Sequence, residues 1–137
     1  MKKLLLLSAL LIFACSSDDS TSDDNNQNSI IGNWQLTCIC EDGLPVDGSV
    51  GLTPCESQSN MTFLESNTGN YEYYDEDGFE GDCIMQFSDI IWSQENSSSY
   101  YVTIVDLDGE SGTGLGVIDG DTLTINDNGI DVVFVKN

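Results

Sequence analysis

The chain has 137 residues, and its formal net charge is −21 because 24 acidic residues oppose only three basic ones. A single domain is expected at this length. Recognition of nucleic-acid phosphates requires clusters of Lys or Arg, so this composition argues against nucleic acid as a partner. Histidine is absent, which removes the commonest base near neutral pH. We therefore expect no enzyme activity and no cofactor, and we attribute carboxylate pairs of the glycosidase type to chance in so acidic a chain.

The first 14 residues combine a basic start, Met1–Lys3, with an apolar run from Leu4 to Phe13. A run of this length is too short to span a bilayer, which requires roughly 20 residues, but it is typical of a secretory signal peptide. The segment Ile12–Cys15 resembles the lipobox of bacterial lipoproteins. The resemblance implies that residues 1–14 are removed and that Cys15 carries the lipid. The alternative is an ordinary signal peptide followed by an incidental cysteine.

Residues 15–29 follow as a polar stretch that is rich in Ser, Asp and Asn. Such a composition buries too little apolar surface to fold, so we expect a flexible acidic tether about 20 Å in span. Removal of residues 1–14 leaves Lys136 as one positive side chain beside 24 negative ones, a formal charge of −23. A strongly solvated surface is the simplest interpretation, and a cationic partner or a divalent ion is the alternative.

Extended segments with alternating apolar and polar residues occupy the rest of the chain. They are Ile30–Cys40, Ser59–Glu65, Asn70–Asp75, Asp82–Ser93, Ser99–Asp106, Gly112–Asp119, Asp121–Asn126 and Ile130–Lys136. In the first segment, the side chains predicted to share one face are Trp34, Leu36, Cys38 and Cys40. In the fourth, we expect a bulge between Phe87 and Ile90. The sixth carries Gly112, Gly114 and Gly116, which predict close approach or a sharp bend.

The segments are joined by short turns such as Asp108-Gly109, Asp119-Gly120 and Asn128-Gly129, which supply the positive φ that tight hairpins need. Eight strands with short connections predict an all-β domain over residues 30–137. The expected fold is a small antiparallel up-and-down barrel. An eight-stranded barrel encloses space for side chains or one small ligand. The connection Glu41–Gln58 is longer and irregular.

A family resemblance rests on the order of several short motifs. The lipobox cysteine and acidic tether precede Ile31–Thr37, which resembles the Gly-x-Trp first strand of lipocalins; Gln58–Phe63, Gly69–Tyr71, Cys83 and Trp92–Ser93 follow. This order resembles the lipocalin-like domain of small Bacteroidetes lipoproteins. The resemblance implies a lipid-anchored lipocalin-like barrel in the outer membrane, at the cell surface or the periplasmic face.

Four cysteines remain once Cys15 is set aside. An even number in an exported domain favours disulfides, and zinc is disfavoured because the close pair is Cys-x-Cys and His is absent. The family resemblance implies a bridge between Cys55 and Cys83, which leaves Cys38 and Cys40 bridged to each other or reduced. The competing scheme joins Cys38 and Cys40 separately to Cys55 and Cys83.

Two binding hypotheses follow. In the first, a pocket for a small apolar molecule is lined by Trp34, Leu36, Phe63, Tyr71, Tyr73 and Trp92. The alternative is that these side chains form a packed core. A non-enzymatic surface interaction or adhesion module would instead use the acidic face or the Glu41–Gln58 connection. Calcium binding by Asp75, Asp77 and Asp82 is a weak alternative to ordinary acidic turns, because the spacing does not match an EF-hand.

Overall fold

The computed structural model describes residues 29–46, 51–76 and 81–137. The predictions about the signal peptide, Cys15 and most of the tether lie outside these residues, as does Asp77.

Nine β-strands and a 3₁₀ turn at Glu56–Gln58 are present in the described ranges. The strands are β1 (Gly32–Glu41), β2 (Leu44–Pro45), β3 (Asn60–Phe63), β4 (Thr68–Glu76), β5 (Cys83–Gln94), β6 (Ser99–Val105), β7 (Ser111–Asp119), β8 (Thr122–Asp127) and β9 (Ile130–Lys136).

The sheet has the order β2-β1-β3-β4-β5-β6-β7-β8-β9, every pair is antiparallel, and β1 also pairs with β9. The pairing of β1 with β9 closes the sheet into a barrel of eight strands, which are β1 and the seven strands from β3 through β9. The predicted lipocalin-like fold is confirmed. The two-residue β2 lies inside the irregular connection and was not predicted. None of the described residues forms a helix long and apolar enough to cross a membrane.

Strand β1 contains a bulge that changes which face its residues occupy. Leu36 pairs with Phe134, but the next paired residue, Cys38, lies opposite Val133, so Thr37 is an extra residue in the ladder. Ile39 therefore packs towards the core beside Val132. The prediction that Cys38 and Cys40 share a face with Trp34 and Leu36 was wrong, because one inserted residue reverses the alternation.

Strand β5 lacks the bulge that the sequence predicts between Phe87 and Ile90. Its pairing with β4 is one-to-one from Cys83 to Ile91. Ile90 and Trp92 are buried, whereas Phe87 is exposed on the outer face. Regular alternation thus places Met85 and Phe87, two apolar residues of the first half of β5, outside the barrel.

The hydrophobic core fills the end of the barrel at which β1 begins and β9 finishes. Trp34, Leu123 and Phe134 are completely buried, and Phe63 is 1% exposed. The indole Nε1 of Trp34 donates to the Ile30 carbonyl oxygen at 2.7 Å, which holds the incoming chain across this end. We call it the closed end.

Two disulfides join the cysteines of the described chain, Cys55 to Cys83 and Cys38 to Cys40. The first is the bridge that the family resemblance implies. It ties the segment before β3 to the start of β5. The second lies within β1, next to Pro45 of β2.

Candidate functional site

The barrel contains an apolar cavity of about 150 Å³ towards the end opposite the closed end. The residues that line it come from β3, β4 and β6 to β9, and they are Met61, Tyr71, Val102, Ile104, Gly112, Thr113, Gly114, Ile125, Asp127 and Val132. We call this end the mouth. The walls are mostly hydrocarbon, with a few polar groups, as is typical of small-molecule sites.

The glycines of β7 have two different roles beside the cavity. A methyl group on Gly114 would lie 2.7 Å from Ile125 Cγ2, and one on Gly116 would lie 3.2 Å from Leu123 Cδ1. These two glycines therefore allow the close approach that the sequence predicts. Gly112 differs, because a methyl group there would meet no atom within 4 Å. Its missing side chain leaves open space at the mouth.

Tyr71 lines the cavity and also contacts the packed core. Its ring lies edge-on to Phe134 with centroids 6.2 Å apart, and the ring centroid of Tyr73 lies 5.9 Å away. Burial raises the pKa of the Tyr71 phenol above its usual value of 10.0, and the nearby Tyr73 and Glu56 raise it further. The side chain of Tyr71, which lines the cavity, therefore stays neutral.

The charged groups at and near the mouth are acidic. Asp127 lines the cavity itself. Glu56 accepts a 3.4 Å hydrogen bond from the Tyr73 hydroxyl. Burial is the main cause that raises the pKa of Tyr73, and the Glu56 carboxylate is the second. Lys136, the one basic residue of the described chain, lies at the closed end, with its Nζ 5.1 Å from the Trp34 ring centroid. The mouth therefore has no cation of its own within the described ranges.

Of the six residues predicted to line a ligand site, the structure places Tyr71 on the cavity wall. Trp34, Leu36, Phe63 and Trp92 belong to the buried core, and Tyr73 lies beside Glu56. None of the other lining residues was predicted to contact a ligand. Gly112 was the available signal, because it is an inward-facing residue without a side chain.

Trp92 illustrates the core role of these aromatic residues. Its Nε1 lies 3.1 Å from the Leu64 carbonyl oxygen and 3.2 Å from that of Thr68, so the indole holds the β3–β4 turn. The ring of Tyr100 packs edge-on against it at 5.9 Å. These contacts close the barrel end rather than line its cavity.

The calcium alternative has no cluster to support it among the described residues. Asp75 and Asp82 are exposed, and Asp77 lies outside the described ranges. Within those ranges, no group of three or more His, Cys, Asp or Glu side chains is placed to hold a metal ion.

A model of the lipocalin-like domain matches residues 30–137, which cover the whole barrel. The chain belongs to this lipocalin-like family. No curated protein and no solved structure matches the chain. The lipocalin-like family is generally non-enzymatic, and its barrel is compatible with the binding of a small ligand.

Proposed function

We propose that this lipocalin-like protein is a non-enzymatic carrier or sensor that binds one compact apolar molecule in the mouth of its barrel. The observation that carries the proposal is the apolar cavity beside Gly112, bounded by Tyr71 and Ile125. The closed end is packed with aromatic and aliphatic side chains, so the cavity at the mouth is the interior space that a ligand would occupy.

The size of the cavity limits the ligand. At about 150 Å³ it is smaller than the roughly 300–1,000 Å³ typical of drug-sized ligands. An apolar cavity of about this volume holds a molecule such as benzene. We therefore expect a ligand whose buried part is no larger than a single ring or a short branched chain.

The acidic residues at the cavity favour neutral or cationic ligands over anionic ones. Asp127 lies in the cavity wall and Glu56 lies near Tyr71, so an anionic ligand would be repelled. A neutral ligand avoids this repulsion, and an ammonium group would be attracted to Asp127. The Tyr71 hydroxyl offers a neutral hydrogen-bond donor to a polar atom of the ligand.

Fluorine NMR titrations with three probes of equal size test the proposal. We expect para-fluorotoluene and para-fluorobenzylamine to show saturable shifts, and para-fluorobenzoate to bind at least about tenfold more weakly, a difference of about 1.4 kcal/mol. Equal binding of the anion, or no saturable binding of any probe to folded protein, would refute the proposal.

A matched pair of variants locates the binding. Gly112→Leu places a side chain into the empty space, because nothing lies within 4 Å of its new Cβ, and we expect it to abolish binding with the fold retained. Ser111→Leu adds the same side chain one position away, on the exposed outer face of β7, and binding should persist. Loss of binding in both variants would place the site elsewhere.

We also propose that Cys15 is lipidated and holds the protein in the outer membrane, at the cell surface or the periplasmic face. The basic start, short apolar run and cysteine at the N-terminus support this. Ser29, the first described residue, accepts a 2.8 Å hydrogen bond from Lys136 at the closed end. A lipid upstream of Ser29 would thus leave the mouth at the end of the barrel away from its attachment point.

A further inference from the structure

The first half of β5 is an open strand edge. β5 pairs with β4 from Cys83 onwards, but β6 pairs with it only from Asp89 to Gln94. Strand β6 ends at Val105, and the chain then turns away from β5 into β7, with Asp106 N donating to Glu110 O at 2.9 Å. Among the described residues, no strand therefore pairs with the β6 side of Cys83–Ser88.

The backbone direction shows which groups this edge presents. Trp92 N donates to the Asn67 carbonyl oxygen at 2.9 Å, towards β4. Successive residues of a strand direct their N–H and C=O groups to opposite sides, and the register with β4 has no shift between Cys83 and Ile91. The N–H and C=O groups of Met85 and Phe87 consequently point away from β4, to the open side.

The side chains beside this edge form an apolar surface. Met85 is 51% exposed, Phe87 is 38% exposed and Leu107 is 86% exposed. Together with Asp106 and its neighbours they line a depression of about 590 Å³. Ser88 Oγ donates to Asp106 Oδ1 at 2.7 Å, which fixes the β6–β7 connection beside the strand. We call this surface the β5 groove.

Charge determines the partner that suits the β5 groove. Asp106 and Asp108 line it, and Asp106 is bound to Ser88, which lies on the opposite face of β5 from Phe87. A second copy of the chain would bring a formal charge of −21 and the same acidic residues, so repulsion disfavours self-association. A segment with alternating cationic and apolar residues would satisfy both the carboxylates and the exposed hydrocarbon.

We propose that the β5 groove binds an extended, cationic and apolar polypeptide segment by adding it as a strand. The segment runs antiparallel to β5, in the position beside Cys83–Ser88 that β6 leaves vacant. Main-chain hydrogen bonds to Met85 and Phe87 hold it, its apolar side chains cover Phe87 and Leu107, and its Lys or Arg side chains face the acidic residues. This surface lies at the open edge of β5 and shares no lining residue with the cavity.

Binding of a defined peptide tests the inference on the full-length protein. The probe is acetyl-Lys-Ile-Lys-Val-Lys-Ile-Lys-amide, and the control has the same composition in the order Lys-Lys-Lys-Lys-Ile-Ile-Val, which lacks the alternation. We expect saturable binding of the probe and at least about tenfold weaker binding of the control. Equal affinity for both peptides would mean that nonspecific electrostatic attraction accounts for the binding, and it would overturn the proposal.

Amide hydrogen exchange measured by NMR reports the strand addition directly. In the free protein, the amides of Met85 and Phe87 should exchange faster than those of Ile84 and Gln86, which face β4. The alternating peptide should slow exchange at Met85 and Phe87 selectively. If these two amides are already protected without peptide, or remain unprotected at saturation, the proposal is wrong.

Two variants on the same face of the same strand separate the groove from general surface effects. Phe87→Asp should weaken peptide binding at least about tenfold, because it removes the apolar contact. Ile91→Asp changes an even more exposed residue, at 55%, whose position is already paired with Thr103 of β6, and binding should change less than about twofold. Similar losses in both variants would contradict the assignment.

Discussion

Trp34 is the residue on which the closed end depends. It is fully buried, its indole donates to Ile30 O, and Lys136 lies against its face. Trp34→Ala should destabilise the protein by about 3–5 kcal/mol, because a large cavity forms and the Ile30 carbonyl loses its donor. Urea unfolding measures this, with Tyr101→Ala on the exposed surface as the control, expected within about 0.5 kcal/mol of the wild type. Comparable losses in the two variants would contradict this role for Trp34.

Tyr71 should make stability depend on alkaline pH. Its pKa in the folded protein is raised by burial, whereas in the unfolded chain it titrates near 10.0. Above pH 10 the unfolded state therefore binds fewer protons than the folded state, so the free energy of unfolding falls as pH rises, by at most about 1.4 kcal/mol per unit for this group. The stabilisation is fully present below pH 10.

Urea unfolding between pH 9 and pH 11, compared in the wild type and Tyr71→Phe, checks the Tyr71 prediction. The Phe variant should show a shallower fall in the free energy of unfolding, because it removes the group whose pKa differs most strongly between the two states. An unchanged slope would mean that Tyr71 is not buried in solution.

Two glycines of β7 should affect stability differently, because Gly114 is closely packed and Gly112 borders open space. Gly114→Ala should destabilise the protein by about 1–3 kcal/mol, because the new methyl group would lie 2.7 Å from Ile125 Cγ2 and 3.1 Å from Asn126 O. Gly112→Ala should be neutral or slightly stabilising, because its methyl group enters open space and stiffens the strand. Thermal unfolding of the two variants measures the difference, and equal effects would contradict the position of the cavity.

The two disulfides should differ in their effect on stability. Cys55 and Cys83 are separated by 28 residues, whereas Cys38 and Cys40 are separated by two. Chain-entropy arguments give about 3–4 kcal/mol for the longer loop and about a third as much for the shorter one. Replacement of each pair by Ser, followed by chemical unfolding, should reproduce that order. The pairing can be checked by peptide mapping without reduction. A cross-linked peptide that contains Cys83 together with Cys38 or Cys40 would overturn it.

The strands were predictable because local signals define them, but the reversal of faces after the bulge in β1 was not. Asp119-Gly120 and Asn128-Gly129 mark hairpins through turn chemistry, and Gly120, Asn128 and Gly129 do adopt positive φ. The bulge at Thr37 is set by pairing with β9, a contact almost a hundred residues away. The cavity likewise depends on which residue lies opposite Gly112, and no local pattern reports that.

The barrel has two ends with different roles. The chain enters at the closed end, where Ser29 contacts Lys136, and the cavity lies towards the other. Cys15→Ala should move the protein from the membrane fraction to the soluble fraction, because acyl chains supply the proposed anchor. Fractionation of producing cells with immunodetection measures this, and retention of the variant in the membrane would show that Cys15 is not the anchor.

The proposed ligand site lies in the mouth of the barrel and not in its packed end. Intermolecular nuclear Overhauser effects between bound para-fluorotoluene and assigned methyl groups distinguish the two. We expect contacts to Ile104, Ile125 and Val132, which line the cavity. Contacts confined to outer-face methyl groups such as Val117, or to core residues such as Leu123, would contradict it.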